Sequence, residues 1–247
     1  MNISGSTITN SAITIDITYL ADPIVPVWYD LSKFNAGGMT VVDSSGNRNT
    51  GRIHSSLDHE GLLVDTATGG GMRFSGTQWL ASPYVLNQDF TVSMAIKYNP
   101  DLNNFPACLW GSDYWDNNSG YIAAFTESDK LVFGIAGDQN GFPFSPTSTV
   151  QTQLTSPRAV TVLDFVKLGT VFTIYVNGQV AGQQDFGQEG SISTLPIAFG
   201  SRNPNDGTYG IADPIVASVY DIKVRNYGVT APECNLIFQG IRSRYGL

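Results

Sequence analysis

Cysteine, histidine, glutamate and positive charge are all scarce in this chain of 247 residues, and each scarcity removes a class of answer. Two cysteines, Cys108 and Cys234, cannot staple a disulfide-rich secreted scaffold, and they form no Cys-x-x-Cys pair. Two buried free thiols are the simpler expectation, since cysteine packs as a small hydrophobe; one long-range disulfide is the alternative. His54 and His59 are the only histidines and lack the helical i, i+4 spacing of a zincin-type site. No Gly-x-Ser-x-Gly elbow marks a serine nucleophile. Charged residues make up 14% of the chain, against about a quarter in an average domain. Thirteen Lys and Arg face 21 Asp and Glu, for a net charge of −8, so a phosphate backbone is a poor partner and nucleic acid is excluded. No apolar run approaches the ~18 residues of a membrane span. The start, Met1-Asn2-Ile3-Ser4-Gly5, has neither a basic nor an apolar leader segment, so no signal peptide and no lipidation are expected, and synthesis in a cytoplasm is.

What is present favours strands. Hydrophobic residues reach 42%, enough for a sizeable core, and 26 Gly punctuate the chain. Seventeen of the 21 acids are Asp, the acid of loops and turns. Alternating apolar residues mark Phe90–Tyr98, with Phe90, Val92, Met94 and Ile96 on one face. Tyr121–Phe125 and Leu131–Ala136 read as a hairpin around residues 127–130. Asn177-Gly178 is the strongest hairpin signal, joining Val171–Val176 to Gln179–Phe186 through a type I′ turn. Shorter strands are read at Arg52–Leu57, Gly61–Val64, Met72–Phe74, Val160–Val166, Ile192–Gly200 and Ile215–Val224. Strands at this density predict a sandwich or barrel.

Residues 1–24 read as a separate N-terminal arm, strictly alternating from Ile13 through Ile15 and Ile17 to Tyr19. It serves either as an extra edge strand or as a contact to a neighbouring subunit. The remainder, 25–247, reads as one domain. One helix is expected at its end. Thr230 and Glu233 form a capping box with Pro232 in the first turn. Ile237, Ile241 and Tyr245 fall on one face, expected to dock on the sandwich edge.

Several stretches together resemble laminin G-like domains of the concanavalin A-like lectin and glucanase superfamily. Val27-Trp28-Tyr29-Asp30 followed by Asp43-Ser44-Ser45-Gly46-Asn47 resembles the family's opening. Met72-Arg73-Phe74-Ser75-Gly76 with Leu80, Asp89–Lys97, Tyr175-Val176-Asn177-Gly178 and Phe199-Gly200-Ser201 resemble its successive strands. Val219-Tyr220-Asp221-Ile222 and Arg244-Tyr245-Gly246-Leu247 resemble its closing strand and helix. Ala95 stands where the family often has Trp. The resemblance implies an all-β, two-sheet antiparallel jelly-roll sandwich with an N-terminal β arm and a short C-terminal helix. It also implies carbohydrate or protein ligands at the loop rim, sometimes with Ca²⁺. Glucanases of this fold carry paired carboxylates on one strand face in a Glu-x-Asp-x-x-Glu pattern. None of Glu60, Glu127, Glu189 and Glu233 opens such a pattern, and Asp58 with Glu60 reads as a turn before Gly61.

Binding residues are therefore sought on loops. Trp110, Asp113, Tyr114, Trp115, Asp116 and Asn117 combine aromatic faces, which stack on sugar rings, with groups that bond hydroxyls. Phe142 on a second loop and Asn205, Asp206 and Tyr209 on a third extend this candidate rim, if the three loops meet. Asp113, Asp116, Asp138 and Asp206 are the candidate Ca²⁺ ligands; no other cofactor is implied. Packing aromatics and turn chemistry explain the same composition. Trp28 and Trp79 read as core or sheet-face residues, and Asp43–Asn47 as a turn. The expected function is non-catalytic: a virion structural or adhesion module, capsid-decorating or tail-associated. It would contact other virion proteins or its own copies through the arm, and possess a rim for host glycan. A free lectin-like protein, cytoplasmic or extracellular, is the alternative, and a glycan hydrolase the third reading.

Overall fold

A computed structural model describes residues 25–34, 39–55, 63–64, 70–112, 120–135, 149–155, 158–187, 189, 194–202 and 213–245. In chain order the strands are β1 (Val27–Asp30), β2 (Thr40–Val41), β3 (Gly51–Ser55), β4 (Leu63–Val64), β5 (Met72–Ser75), β6 (Gln78–Val85), β7 (Phe90–Tyr98) and β8 (Ala107–Gly111). They continue as β9 (Tyr121–Phe125), β10 (Lys130–Ile135), β11 (Thr149–Gln153), β12 (Val160–Leu168), β13 (Val171–Val176), β14 (Gln179–Asp185), β15 (Pro196–Phe199) and β16 (Val216–Arg225). A single helix, α1 (Ala231–Tyr245), follows.

The strands form two antiparallel eight-stranded sheets. Sheet I runs β14-β13-β12-β7-β16-β5-β4, with β1 pairing β16 beyond β5; sheet II runs β11-β10-β9-β8-β15-β6-β3-β2. The architecture is a β-sandwich jelly roll. Its inner faces are the apolar halves of the alternating strands. Phe90, Val92, Met94, Ile96 and Tyr98 of β7 point inward, as expected, and meet Tyr121, Ala123 and Phe125 of β9 and Leu131 and Phe133 of β10 in one core. Each fully buried Phe or Leu removes enough apolar surface to contribute about 2–3 kcal/mol. Tyr29 of β1 spans the layers: its hydroxyl donates to the Asn49 carbonyl at 2.6 Å and contacts Ser82 Oγ at 2.9 Å.

The two opening motifs of the resemblance are halves of one joint. Asp43 Oδ1 accepts from the Trp28 N–H at 3.0 Å and the Ser45 N–H at 2.9 Å. Its Oδ2 accepts from the Asn49 N–H at 2.9 Å. The Asn47 and Asn49 amides then bond the Val25 and Pro26 carbonyls. The 43–47 segment is thus a turn that caps the free edge of β1 and not a metal loop.

The Asn177-Gly178 hairpin forms with φ of 51° and 75°, both left-handed as a type I′ turn requires. A Cβ at position 178 would lie 2.9 Å from Asn235 Cα, so glycine is needed there for α1 to approach. The helix starts at the expected cap: the Thr230 N–H and hydroxyl both donate to the Glu233 carboxylate, at 2.6 and 2.7 Å. Its docking site differs from expectation. Instead of the sandwich edge, α1 lies on the outer face of sheet I. There Ile237, Ile241 and Tyr245 pack on Ala95, Val162 and Tyr220, and Cys234 on Val166, Tyr175 and Val229. The reason is a register shift in β16 between Val219 and Asp221, which turns Tyr220 outward as an apolar seat. Both cysteines are free and buried, so the disulfide alternative falls.

Polar groups are buried in the same interface. Arg244 pairs with Asp30 and donates to Asp221 Oδ2 at 3.3 Å, and the Trp28 indole N–H reaches the same oxygen at 3.1 Å. Further along, Asp164 is fully buried beside Ser93 and Arg225. Burial pushes its carboxyl up to about 6, with Ser93 and Arg225 pulling the other way. Because the folded value exceeds the unfolded one, this group's stabilisation is complete below the unfolded value near 3.8. It is lost as pH rises through about 6. Asp164→Asn is therefore expected to be more stable than the parent at pH 7.5. In urea unfolding the gap, on the order of 2–3 kcal/mol at most, should shrink toward pH 5; a gap independent of pH would contradict the assignment.

Candidate functional site at one end of the sandwich

Strand direction decides which loops can share a site. β8 and β9 run antiparallel, so the 113–119 connection leaves from Gly111 and returns to Tyr121 at one end. The Ser112 N–H donates to the Tyr121 carbonyl at 2.9 Å, and the Tyr121 N–H to Ser112 Oγ at 3.2 Å, closing its base. Ile135, at the end of β10, pairs with Tyr121, and Gly134 pairs with Thr149 of β11. The 136–148 connection therefore springs from the same end. These are the stems of the segments that carry Asp113, Tyr114, Trp115, Asp116 and Asn117, and Asp138 and Phe142. Those seven residues themselves lie outside the described residues.

The stem of the third loop lies elsewhere. β15 is antiparallel to β8, with Phe199 opposite Trp110. The chain beyond β15 therefore heads for the start of β8. Asp213, where it returns, accepts the Cys108 N–H at 2.7 Å, and Arg202 lies 3.9 Å from Asp213 across the loop's base. The segment bearing Asn205, Asp206 and Tyr209, also outside the described residues, thus departs from the opposite end of the sheet.

Trp110 is a correction. Its polar neighbours in sequence point to the rim, yet it is 0% exposed and lies in the core. Its ring packs against Phe90, Phe133 and Phe165 at centroid distances of 5.9, 5.8 and 5.8 Å. A bulge in β8 between Cys108 and Trp110 breaks the alternation and turns the indole inward, leaving Cys108 on the outer face.

The floor of this end is polar and fixed by residues the sequence reading missed. Lys167 is fully buried, with Nζ donating to the Gln88 carbonyl at 2.6 Å and the Gly169 carbonyl at 2.9 Å. It sits 3.7 Å from Asp89 Oδ1 and over the rings of Tyr121 and Phe172. Asp89 Oδ1 also accepts the Gly169 N–H at 2.8 Å, and the Gln88 amide donates to Glu189 at 2.7 Å. Burial pulls the Lys167 amine down, opposed by Asp89 and Glu189. Burial and the same two acids push the Tyr121 phenol up to about 12. Lys167 could have been found from the pattern: Leu163, Phe165 and Lys167 alternate, placing a cation on the apolar face at a strand's end. The amine's donors are directed at carbonyls, so it serves as a clamp between the 86–89 and 169–170 turns. Asp89, half-buried, and Glu189, exposed, offer acceptor oxygens beside the loop stems.

Elsewhere, His54 stacks on Trp79 at 5.0 Å on the outer face of sheet II, and burial, then Arg52, lowers its imidazole. Trp79 and Trp28 are sheet-face residues, as expected. Asp58, His59 and Glu60 lie outside the described residues. Among the described residues no group of three or more His, Cys, Asp or Glu is placed to hold a metal ion. Nor is any helix of the described residues long and apolar enough to cross a membrane.

This architecture, two antiparallel sheets and one covering helix, defines the class as a β-sandwich jelly roll. No family model matches the chain, and no curated protein matches its sequence. Solved structures do. The botulinum neurotoxin serotype D/C binding domain superposes with a TM-score of 0.64 at 14% identity, over 90% of this chain and 53% of that one. The serotype C1 binding domain gives 0.60 at 16%, over 87% and 51%. The serotype DC binding domain in complex with rat synaptotagmin II gives 0.63 at 15%, over 90% and 52%. The chain spans about half the length of these structures, and at such identities the likeness is one of fold.

Lys167→Met would leave two buried carbonyls and Asp89 without their cation. We expect a loss of about 2–3 kcal/mol in urea unfolding, and faster proteolysis near 86–89 and 169–170. Unchanged stability would show that the clamp is dispensable.

Proposed function

We propose that the protein is a non-catalytic, lectin-like binding module that takes carbohydrate at the loop end of the sandwich. One observation carries this reading: the stems of 113–119 and 136–148, whose sequences hold Tyr114, Trp115, Asp116, Asn117 and Phe142, leave the sandwich side by side. They rise beside the acceptor oxygens of Asp89 and Glu189. Aromatic faces with neighbouring carboxylates and amides suit the alternating apolar and hydroxylated surfaces of a sugar. The same loops would supply oxygen ligands for Ca²⁺ through Asp113, Asp116 and Asp138, whereas the connection that holds Asp206 is rooted at the other end of the sheet. Support from the neighbours is indirect. They are described as binding domains, one of them in complex with SialylT, in proteins about twice as long.

Trp115→Ala and Asp116→Ala should each lower glycan-array binding at least tenfold while thermal unfolding moves by no more than about 2 °C, as expected for exposed loop changes. Absence of any glycan signal from the intact chain would remove the carbohydrate reading.

We also propose residence on a virion, with residues 1–24 contacting other virion proteins or further copies of the chain. The strict alternation from Ile13 to Tyr19 supports it, because a half-apolar alternating sequence favours pairing with an exposed strand edge. Deletion of residues 1–20 should lower oligomeric state or particle binding; no change in either would exclude the role.

A further inference from the structure

The helix covers only part of the outer face of sheet I. Beyond Tyr220 the face continues through a row set by register: Arg73 of β5 opposite Ser218 of β16, and Ser218 opposite Lys97 of β7. All three point outward, since Met72, Phe74, Ile96, Tyr98, Ala217 and Val219 on either side of them point into the core. Arg73 and Lys97 are exposed and Ser218 is half-exposed. We propose that this row is a recognition site for an anionic group, a sulfate or a carboxylate, carried by a polysaccharide.

The first argument is the use the chain makes of its few cations. Lys130 pairs with Glu127, Arg158 with Asp101, and Arg202 with Asp213. Lys167 is held by two carbonyls, Lys223 stands 4.6 Å over Trp28, Arg225 donates to Ser93 at 3.0 Å, and Arg244 bridges Asp30 and Asp221. Among the described residues Arg73 and Lys97 have no such partner; the exposed Arg48 and Arg52 also lack an acid there, but only Arg73 and Lys97 share one row on one sheet face. In a protein of net charge −8, two unneutralised cations flanking one serine are a local inversion of the field, which attracts anions.

The second argument is geometric. Directly opposed residues on antiparallel strands hold their Cβ atoms about 5 Å apart. Arg73 and Lys97 therefore stand about 10 Å apart across Ser218, and both side chains are long enough to meet above the hydroxyl. A guanidinium presents paired N–H donors that match two oxygens of a carboxylate or sulfate, an ammonium adds a mobile point charge, and the serine adds a third donor beneath. Among the described residues, the neighbouring positions Ser75, Val216, Val160 and Tyr220 on this face include no acid. The backbone positions are fixed by the sheet and not by a loop, so little ordering accompanies binding. The row lies toward the end opposite the loop stems and does not depend on the carbohydrate reading there.

The test uses the full chain with dextran sulfate, polygalacturonate and plain dextran in about 0.1 M salt, where exposed charges are screened beyond about 10 Å. Binding to dextran sulfate, polygalacturonate or both, but not to dextran, is expected, and identifies sulfate or carboxylate as the group. Arg73→Glu with Lys97→Glu should weaken it at least tenfold, and Ser218→Ala by a few-fold. Arg48→Glu, a charge reversal at another exposed cation, should leave it unchanged. If the double reversal disturbs folding, Arg73→Gln with Lys97→Gln serves in its place. Trp115→Ala should not affect polyanion binding, which separates this site from the loop end. No binding to either polyanion, or an equal loss in Arg48→Glu, would overturn the proposal.

Discussion

The central strands of sheet I, β7, β12 and β16, must be buried on both faces, and most of the structure follows from that constraint. The inner face of the sheet meets sheet II and its outer face meets α1. A strand buried on both sides cannot show simple alternation of apolar and polar residues, and β7, β12 and β16 do not: nearly every position in them is buried. The outer face therefore mixes apolar seats such as Val162 and Tyr220 with polar groups that must find partners in a dry interface. Arg244, Asp30, Asp221 and Trp28 solve this by bonding one another, which also ties the first described strand, the last strand and the helix together. Asp164 is the unsolved remainder, a carboxyl whose charge is opposed by its own burial.

The sandwich separates scaffold from contact surface by strand direction. The aromatic core of Phe90, Trp110, Tyr121, Phe133, Phe165 and Phe172 underlies one end, and the Lys167 clamp closes it. Above that base leave the two connections richest in aromatic and amide side chains. A rigid floor with sequence-variable connections is an arrangement that allows a ligand site to change without disturbing the fold. The outer face of sheet I offers a second surface of a different kind, flat, cationic and made by strands.

Much of this was legible in the residues. The β7 alternation, the β9–β10 hairpin, the Asn177-Gly178 turn and the Thr230–Glu233 cap are local patterns, and local chemistry decides them. Strands with weaker patterns were not read. β6 contains Pro83, which argues against an internal strand, yet β6 is internal: its pairing with β3 ends at Ala81 and its register with β15 shifts between Pro196 and Ala198, so Pro83 lies where the ladders are interrupted. β8 carries no alternation that marks a strand, because every one of its residues is buried and Trp110 adjoins a polar stretch.

By itself the sequence determined the strongly alternating strands, where the tightest turn falls and how the helix begins, since each depends on neighbours within a few residues. Only the tertiary structure decided that Trp110 faces the core, that α1 lies on a sheet face, that Lys167 is a buried clamp, and that Arg73 and Lys97 share a row. Each of these depends on a bulge, a register or a strand direction, and those are set by pairing between segments distant in the chain.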